Sequence, residues 1–161
     1  GTIKIGDTFT DGEELHFTGV PSFAPEHFRK VHLDDPFRAK HLNKGLTQLS
    51  EEGAIQVFRP LRGNAYILGA VGALQFDVTV ARLDDEYNVD AHLSGVRYTC
   101  CRWVSGPAET LDAFEAKNVD NLFHDAEGNL AYLGLSQFRL DRTMEDWPEL
   151  TFEKTKEHTG D

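Results

Sequence analysis

Along residues 74–80 apolar and polar positions alternate strictly, with Leu74, Phe76, Val78 and Val80 set against Gln75, Asp77 and Thr79. That is the period of a half-buried strand. A wider spacing runs through the same residues: Ala73, Phe76, Val80, Leu83 and Tyr87 step by +3, +4, +3 and +4, which is one face of a helix. The alternation stops at Val80 while the helical face continues. The polar "RLDDEY" has no strand character, and Asn88 stands where a C-cap belongs. The spacing therefore predicts a helix whose apolar face carries Phe76, Val80 and Leu83, with Asp77, Arg82 and Asp85 in water.

The neighbouring patterns fit around it. A second helix is predicted over 36–50, where Asp35 is a suitable N-cap, Pro36 suits the first helical position, and Ala39, Leu42, Leu46 and Leu49 recur at helical spacing. Gly53 then supplies the C′ residue. "EHFRKVHL" reads as a strand, "AIQVFRPL" and "AYILGAV" as a hairpin turning at "RGN", and "VDAHLSGVRY" as a further strand. Pro60 restricts its strand to an edge or ends its ladder. The order is βαββαβ, a ferredoxin-like unit with two helices on one face of a four-stranded antiparallel sheet.

After Cys101 the expected elements are a helix at "PAETLDAFEAKN", a strand at "NLAYLGLS", a helical stretch near "RTMEDW" and a last strand at "TFEKTKE". They make a smaller C-terminal α+β extension, without a visible internal sequence repeat. Residues 2–20 are short β-prone pieces broken by Gly-Asp and Asp-Gly turns, strands with most of their sheet missing. "PSFAPEHF" reads as a stiff extended connector. The expected organisation is thus remnant strands at 1–20, a linker at 21–25 and an α+β domain at 26–161.

Composition narrows the function classes. A chain of 161 residues with 40% hydrophobic residues can bury a sizeable core. A net charge of −11 and a pI near 5.0 argue against nonspecific binding to DNA or RNA as a whole. No apolar run is long enough to span a membrane. The two cysteines, Cys100 and Cys101, are adjacent, which suits neither an ordinary disulfide nor a zinc site and fits a reducing cytoplasm. Met144 is the sole methionine, so the chain is expected to be a piece of a longer protein.

Candidate chemistry is sparse. There is no G-x-x-x-x-G-K-[ST] loop to cradle a nucleotide's phosphates. The seven histidines are scattered singly and lack metal-ligand spacing. The acids of "LDDEY" point in different directions on a helix. Of Cys100 and Cys101, strand alternation sends one inward. Charge is more informative: from Arg29 to Arg62 the bases Arg29, Lys30, Arg38, Lys40, Lys44, Arg59 and Arg62 face four acids, a net of +3, leaving −14 for the remainder. The bland reading of these bases is a solvated face; the sharper one is a patch for RNA phosphates.

Four stretches, "IGDTFTDGEELHFTGVPSFAPEHFRKVHLDDP", "KGLTQLSEEGAIQVFRPL", "GAVGALQFDVTVARLDDEYNV" and "NLAYLGLSQFRL", together resemble the C-terminal part of bacterial peptide chain release factor 3, a GTPase of translation termination. The third is also similar to the "GELHLE…RL…" helix of elongation factor G. Gly72, Leu74, Arg82 and Leu83 keep their places there, while Ala73 and Gln75 replace Glu and His, which favours the release factor.

The resemblance implies that residues 1–20 are the tail of a β-barrel second domain and the rest a third domain. It implies that GTP and Mg²⁺ are held by an upstream domain in cis, outside this noncatalytic chain. The whole factor would remove the decoding release factors from the ribosome, so the implied partners are the ribosome, its RNA and, indirectly, those factors, with neither DNA nor membrane involved. A rival reading is a free-standing ferredoxin-like regulatory domain for a small metabolite. The chain alone is expected neither to bind nor to hydrolyse GTP, lacking a loop for the nucleotide and its Mg²⁺. Calorimetric titration checks this, and measurable binding heat would contradict it.

Overall fold

The computed structural model describes residues 21–63 and 65–157, so the β-prone pieces at 2–20 lie outside the described residues. The linker stretch contains β1 (Pro21–Phe23), which pairs antiparallel with β10 (Thr155–Glu157) in a small separate sheet. The main sheet begins with the expected unit: β2 (His27–Leu33), α1 (Ala39–Glu51), β3 (Gln56–Pro60), β4 (Ile67–Ala70), α2 (Leu74–Tyr87) and β5 (Ala91–Gly95). These strands lie in the order β5-β2-β4-β3, antiparallel throughout, the arrangement of a ferredoxin-like unit.

Local chemistry explains both helices. Asp35 accepts a hydrogen bond from the Phe37 N–H at 3.0 Å, and a 3-10 turn at Pro36–Arg38 leads into α1. Gly53 takes φ 82°, while the Ala54 N–H returns to the Leu49 carbonyl and the Gly53 N–H to the Ser50 carbonyl, closing the helix as a Schellman motif. Asn88 ends α2 at φ 56°.

The buried face of α2 is Phe76, Thr79 and Leu83, however, and Val80 is only half-buried. Thr79 takes the inward place because its hydroxyl donates to the Gln75 carbonyl at 2.8 Å, which leaves no buried polar atom unpaired. Arg82 is not simply in water either: it reaches Glu86 and, at the end of α1, Glu52, each at 2.7 Å. α1 and α2 meet closely at Gly45, where an added Cβ would stand 2.8 Å from Leu83 Cδ2.

The C-terminal extension is a second whole unit. It comprises β6 (Cys100–Ser105), α3 (Ala108–Asn118), β7 (Leu122–Asp125), β8 (Leu130–Gly134), α4 (Gln137–Asp146) and β9 (Thr151–Glu153). "TFEKTKE" is divided at Lys154, giving β9 to the main sheet and β10 to the small one. α4 is longer than the pattern near "RTMEDW" implies, because Ser136 caps it by accepting the Arg139 N–H at 3.1 Å. The strand order, β7-β8-β6-β9, repeats that of the first unit.

The two turns share a short local pattern. Phe58 and Phe123 each stand five residues before a Gly-Asn pair, and Gly63 and Gly128 have φ 95° and 90°, the left-handed region that glycine occupies without strain. The returning strands then differ by one residue, since Phe58 lies opposite Ile67 but Phe123 opposite Ala131. That shift obscures the pattern beyond the turn.

The units join through β3 and β7 into one eight-stranded sheet, β5-β2-β4-β3-β7-β8-β6-β9. The junction pairs Phe58 with Asp125, Arg59 with His124 and Pro60 with Phe123. It is unchanged when the two strands are exchanged, with Arg59 and His124 at its centre.

Opposed residues share a face, so Val57 and Leu122 point the same way. One face therefore carries α1 and α2 over Leu42, Leu46, Val57 and Leu83, and α3 and α4 over Leu122, Phe114 and Leu140. The helix-free face is also apolar, with Phe28, Phe58, Ile67, Cys101, Trp103 and Phe123 in one cluster spanning both units. With both faces covered, Cys100 and Cys101 are both buried rather than one of them. Burial pushes the Cys101 thiol well up from its ordinary range, as expected of an inert core cysteine.

A buried carboxylate fastens the small sheet to the large one. Asp125 accepts from the Trp103 indole N–H at 3.2 Å, from the Glu127 and Asn129 backbone N–H groups at 2.9 Å, and from the Lys156 ammonium on β10. Lys156 also reaches Glu127 at 2.9 Å and lies 5.4 Å above the Trp103 ring.

Candidate nucleic-acid interface

The seven bases singled out from the sequence fall into three groups rather than one patch. Arg29 and Arg59 are absorbed by the fold. The Arg29 guanidinium lies 4.9 Å over the Phe76 ring and donates to the Phe28 carbonyl. Arg59 donates to Asn43 on α1 at 2.7 Å and lies 5.5 Å over the Tyr66 ring. Tyr66 donates to the same Asn43 oxygen at 3.2 Å, so Arg59 braces α1 against the sheet.

Arg38, Lys40 and Lys44 form the second group, around the start and outer face of α1. Lys40, His41 and Lys44 are exposed and Arg38 half-buried, opposite the buried Leu42, Gly45, Leu46 and Leu49. α1 has no acid in its first turn, and Arg38, Lys40 and Lys44 make no ion pair among the described residues. The charge of this face is thus directed outward, at whatever anion approaches.

Lys30 and Arg62 make the third group, on the helix-free face. Adjacent strand residues point to opposite faces, which separates Lys30 from Arg29. Arg97 joins them there; sequence reading missed it because it lies far outside the 29–62 window, beyond the end of β5. The signal available was the register, which was not legible before the strands were paired.

The histidines are also better placed than their scatter implies. His32 and His92 oppose each other across β2 and β5, their rings stacked 5.0 Å apart. His32 Nε2 lies 2.6 Å from the Ser94 hydroxyl, and His92 Nδ1 lies 3.1 Å from the Asp34 carboxylate. Among the described residues no three His, Cys, Asp or Glu side chains converge as a metal site. Asp84, Asp85 and Glu86 are exposed, and Arg82 holds the Glu86 carboxyl below its usual range.

A scan against protein-family models matches residues 17–144 to the class II release factor RF3, C-terminal domain. The chain belongs to that family. As an RF3 C-terminal domain it is a noncatalytic region of a translational GTPase, and its role lies in translation termination. The match begins before β1 and reaches into α4, so it takes in the whole first βαββαβ unit and the second as far as its last helix. No helix among the described residues of this RF3 domain is long and apolar enough to cross a membrane.

Proposed function

We propose that this RF3 domain docks a cytoplasmic translational GTPase on the ribosome, through ribosomal RNA, while the whole factor removes the decoding release factors after peptide release. GTP and Mg²⁺ would be held by an upstream domain in cis, with residues 1–20 as the tail of a β-barrel domain, 21–25 as the linker and 26–161 as the docking domain. The observation that carries the reading is the outer face of α1. It presents Arg38, Lys40 and Lys44 without a carboxylate partner among the described residues, on a chain whose net charge is −11. An acidic surround suppresses loose association and leaves this face as the local attraction for phosphate.

Lysines on an exposed helix supply charge without a fixed edge for reading bases, so each acts as a phosphate neutraliser. Lys40→Glu/Lys44→Glu in the full-length factor should weaken ribosome binding. It should also flatten the log-log salt dependence by about two phosphate equivalents, roughly 0.7 to 0.9 each. Stability should change by no more than about 0.5 kcal/mol. Ribosome affinity at two salt concentrations, beside a thermal melt, checks this; parental affinity at both would remove the RNA contact and leave the family membership intact.

A further inference from the structure

On the face away from the helices, a groove of about 710 Å³ runs between the β3–β4 turn, the crossover from β5 to β6, and the short 3-10 turn after α3. Its floor is apolar: Ile67 and Phe123 are buried there, and Val96 and Tyr98 are half-buried against them. Its rim is cationic, with Lys30, Arg62 and Arg97 against the single acid Asp120. Among the described residues Lys30 and Arg97 make no ion pair, and Arg62 reaches Asp120 only at 3.9 Å, with both side chains largely in solvent. A rim of three bases against one acid on a chain of −11 calls for an anion, and an apolar floor calls for apolar groups on the same ligand.

We propose that this groove binds an acidic, amphipathic peptide segment of a partner protein, its carboxylates meeting Lys30, Arg62 and Arg97 and its apolar side chains seated on Ile67, Val96 and Phe123. A nucleic-acid strand satisfies the rim but not the floor. Single strands bind largely by stacking bases on open aromatic faces. Here the Tyr98 ring stands edge-on to Phe123, 5.6 Å away at 85°, and its hydroxyl donates to the Asp120 carbonyl, so the two rings pack on each other. The site is separate from the outer face of α1 and does not depend on the RNA contact proposed there.

The test is fluorescence anisotropy with the 161-residue chain and two probes, a labelled peptide repeating Glu-Glu-Leu and a labelled oligouridylate of equal length. The peptide should bind, and Arg62→Glu/Arg97→Glu should weaken it on the order of tenfold or more. Both arginines are exposed, so this variant should keep the parental circular dichroism; Arg97→Gln is a milder second variant and should weaken the peptide less. Val96→Ser should also weaken the peptide, whereas Lys40→Glu/Lys44→Glu should leave it unchanged. The proposal is overturned by an absence of peptide binding, by an affinity indifferent to Arg62→Glu/Arg97→Glu, or by an oligouridylate that displaces the peptide and is itself lost with those two arginines.

Discussion

Leu83→Asp should be among the most damaging single changes in this chain, costing more than about 4 kcal/mol. Leu83 is fully buried between α2, α1 and the sheet, with its Cδ2 at the Gly45 crossing, so the new carboxylate would have neither water nor a partner. Val80→Asp, three residues earlier on the same helix, should cost less than half as much, because Val80 is half-buried at the flank of the face. Urea midpoints for the two variants measure the difference. Equal shifts would mean that α2 presents the face inferred from residues 73–87 and not the one carrying Thr79.

The second large effect belongs to Asp125. Asp125→Ala should destabilise by about 3 kcal/mol or more, the cost of breaking a buried ion pair and leaving N–H donors without an acceptor. It would leave the Trp103 N–H and two backbone N–H groups without their acceptor and Lys156 with Glu127 alone. Burial pushes the Asp125 carboxyl up, but the Lys156 ammonium and the Asn129 N–H outweigh it and hold the group below its ordinary range. A depressed carboxyl stabilises the fold fully above the unfolded-state value, and that stabilisation is lost as pH falls through the folded one. Thermal melts between about pH 5 and pH 2 should therefore fall more steeply for the parent than for Asp125→Asn. Parallel curves for the two would show that the acid sensitivity arises elsewhere.

These sites show where sequence was and was not informative. α1 was legible because a cap, a proline, spaced leucines and a closing glycine agree on one element. The existence of α2 was legible, but its exact face was not, since a threonine counts as polar until its hydroxyl is seen returning to its own helix. β6 gave no period because Cys100 through Val104 are all buried, with sheet faces packed on both sides. β7 is only four residues long and ends in an aspartate two of whose partners, Trp103 and Lys156, lie far away along the chain. The basic residues were grouped by proximity along the chain. Pairing the strands then dispersed them, sending Arg29 and Arg59 into helix contacts and bringing Arg97 across to Lys30 and Arg62.

The exchange-symmetric junction of β3 with β7 has a consequence for association. Two identical subunits that close on each other do so by meeting through the same patch, residue i on j and j on i, which is the pattern of Phe58 on Asp125 and Pro60 on Phe123. The chain therefore contains, in effect, both halves of a dimer. Divided between β5 and β6, each half would bear an open strand edge carrying a large apolar side chain, Phe58 on β3 or Phe123 on β7, the kind of edge that recruits another strand. Halves of one type would then compete with the native pairing by forming homodimers through the same short seam. The crossover at 96–99 prevents this by keeping the correct partner at a fixed, high effective concentration, so that closure of the sheet is independent of how much protein is present.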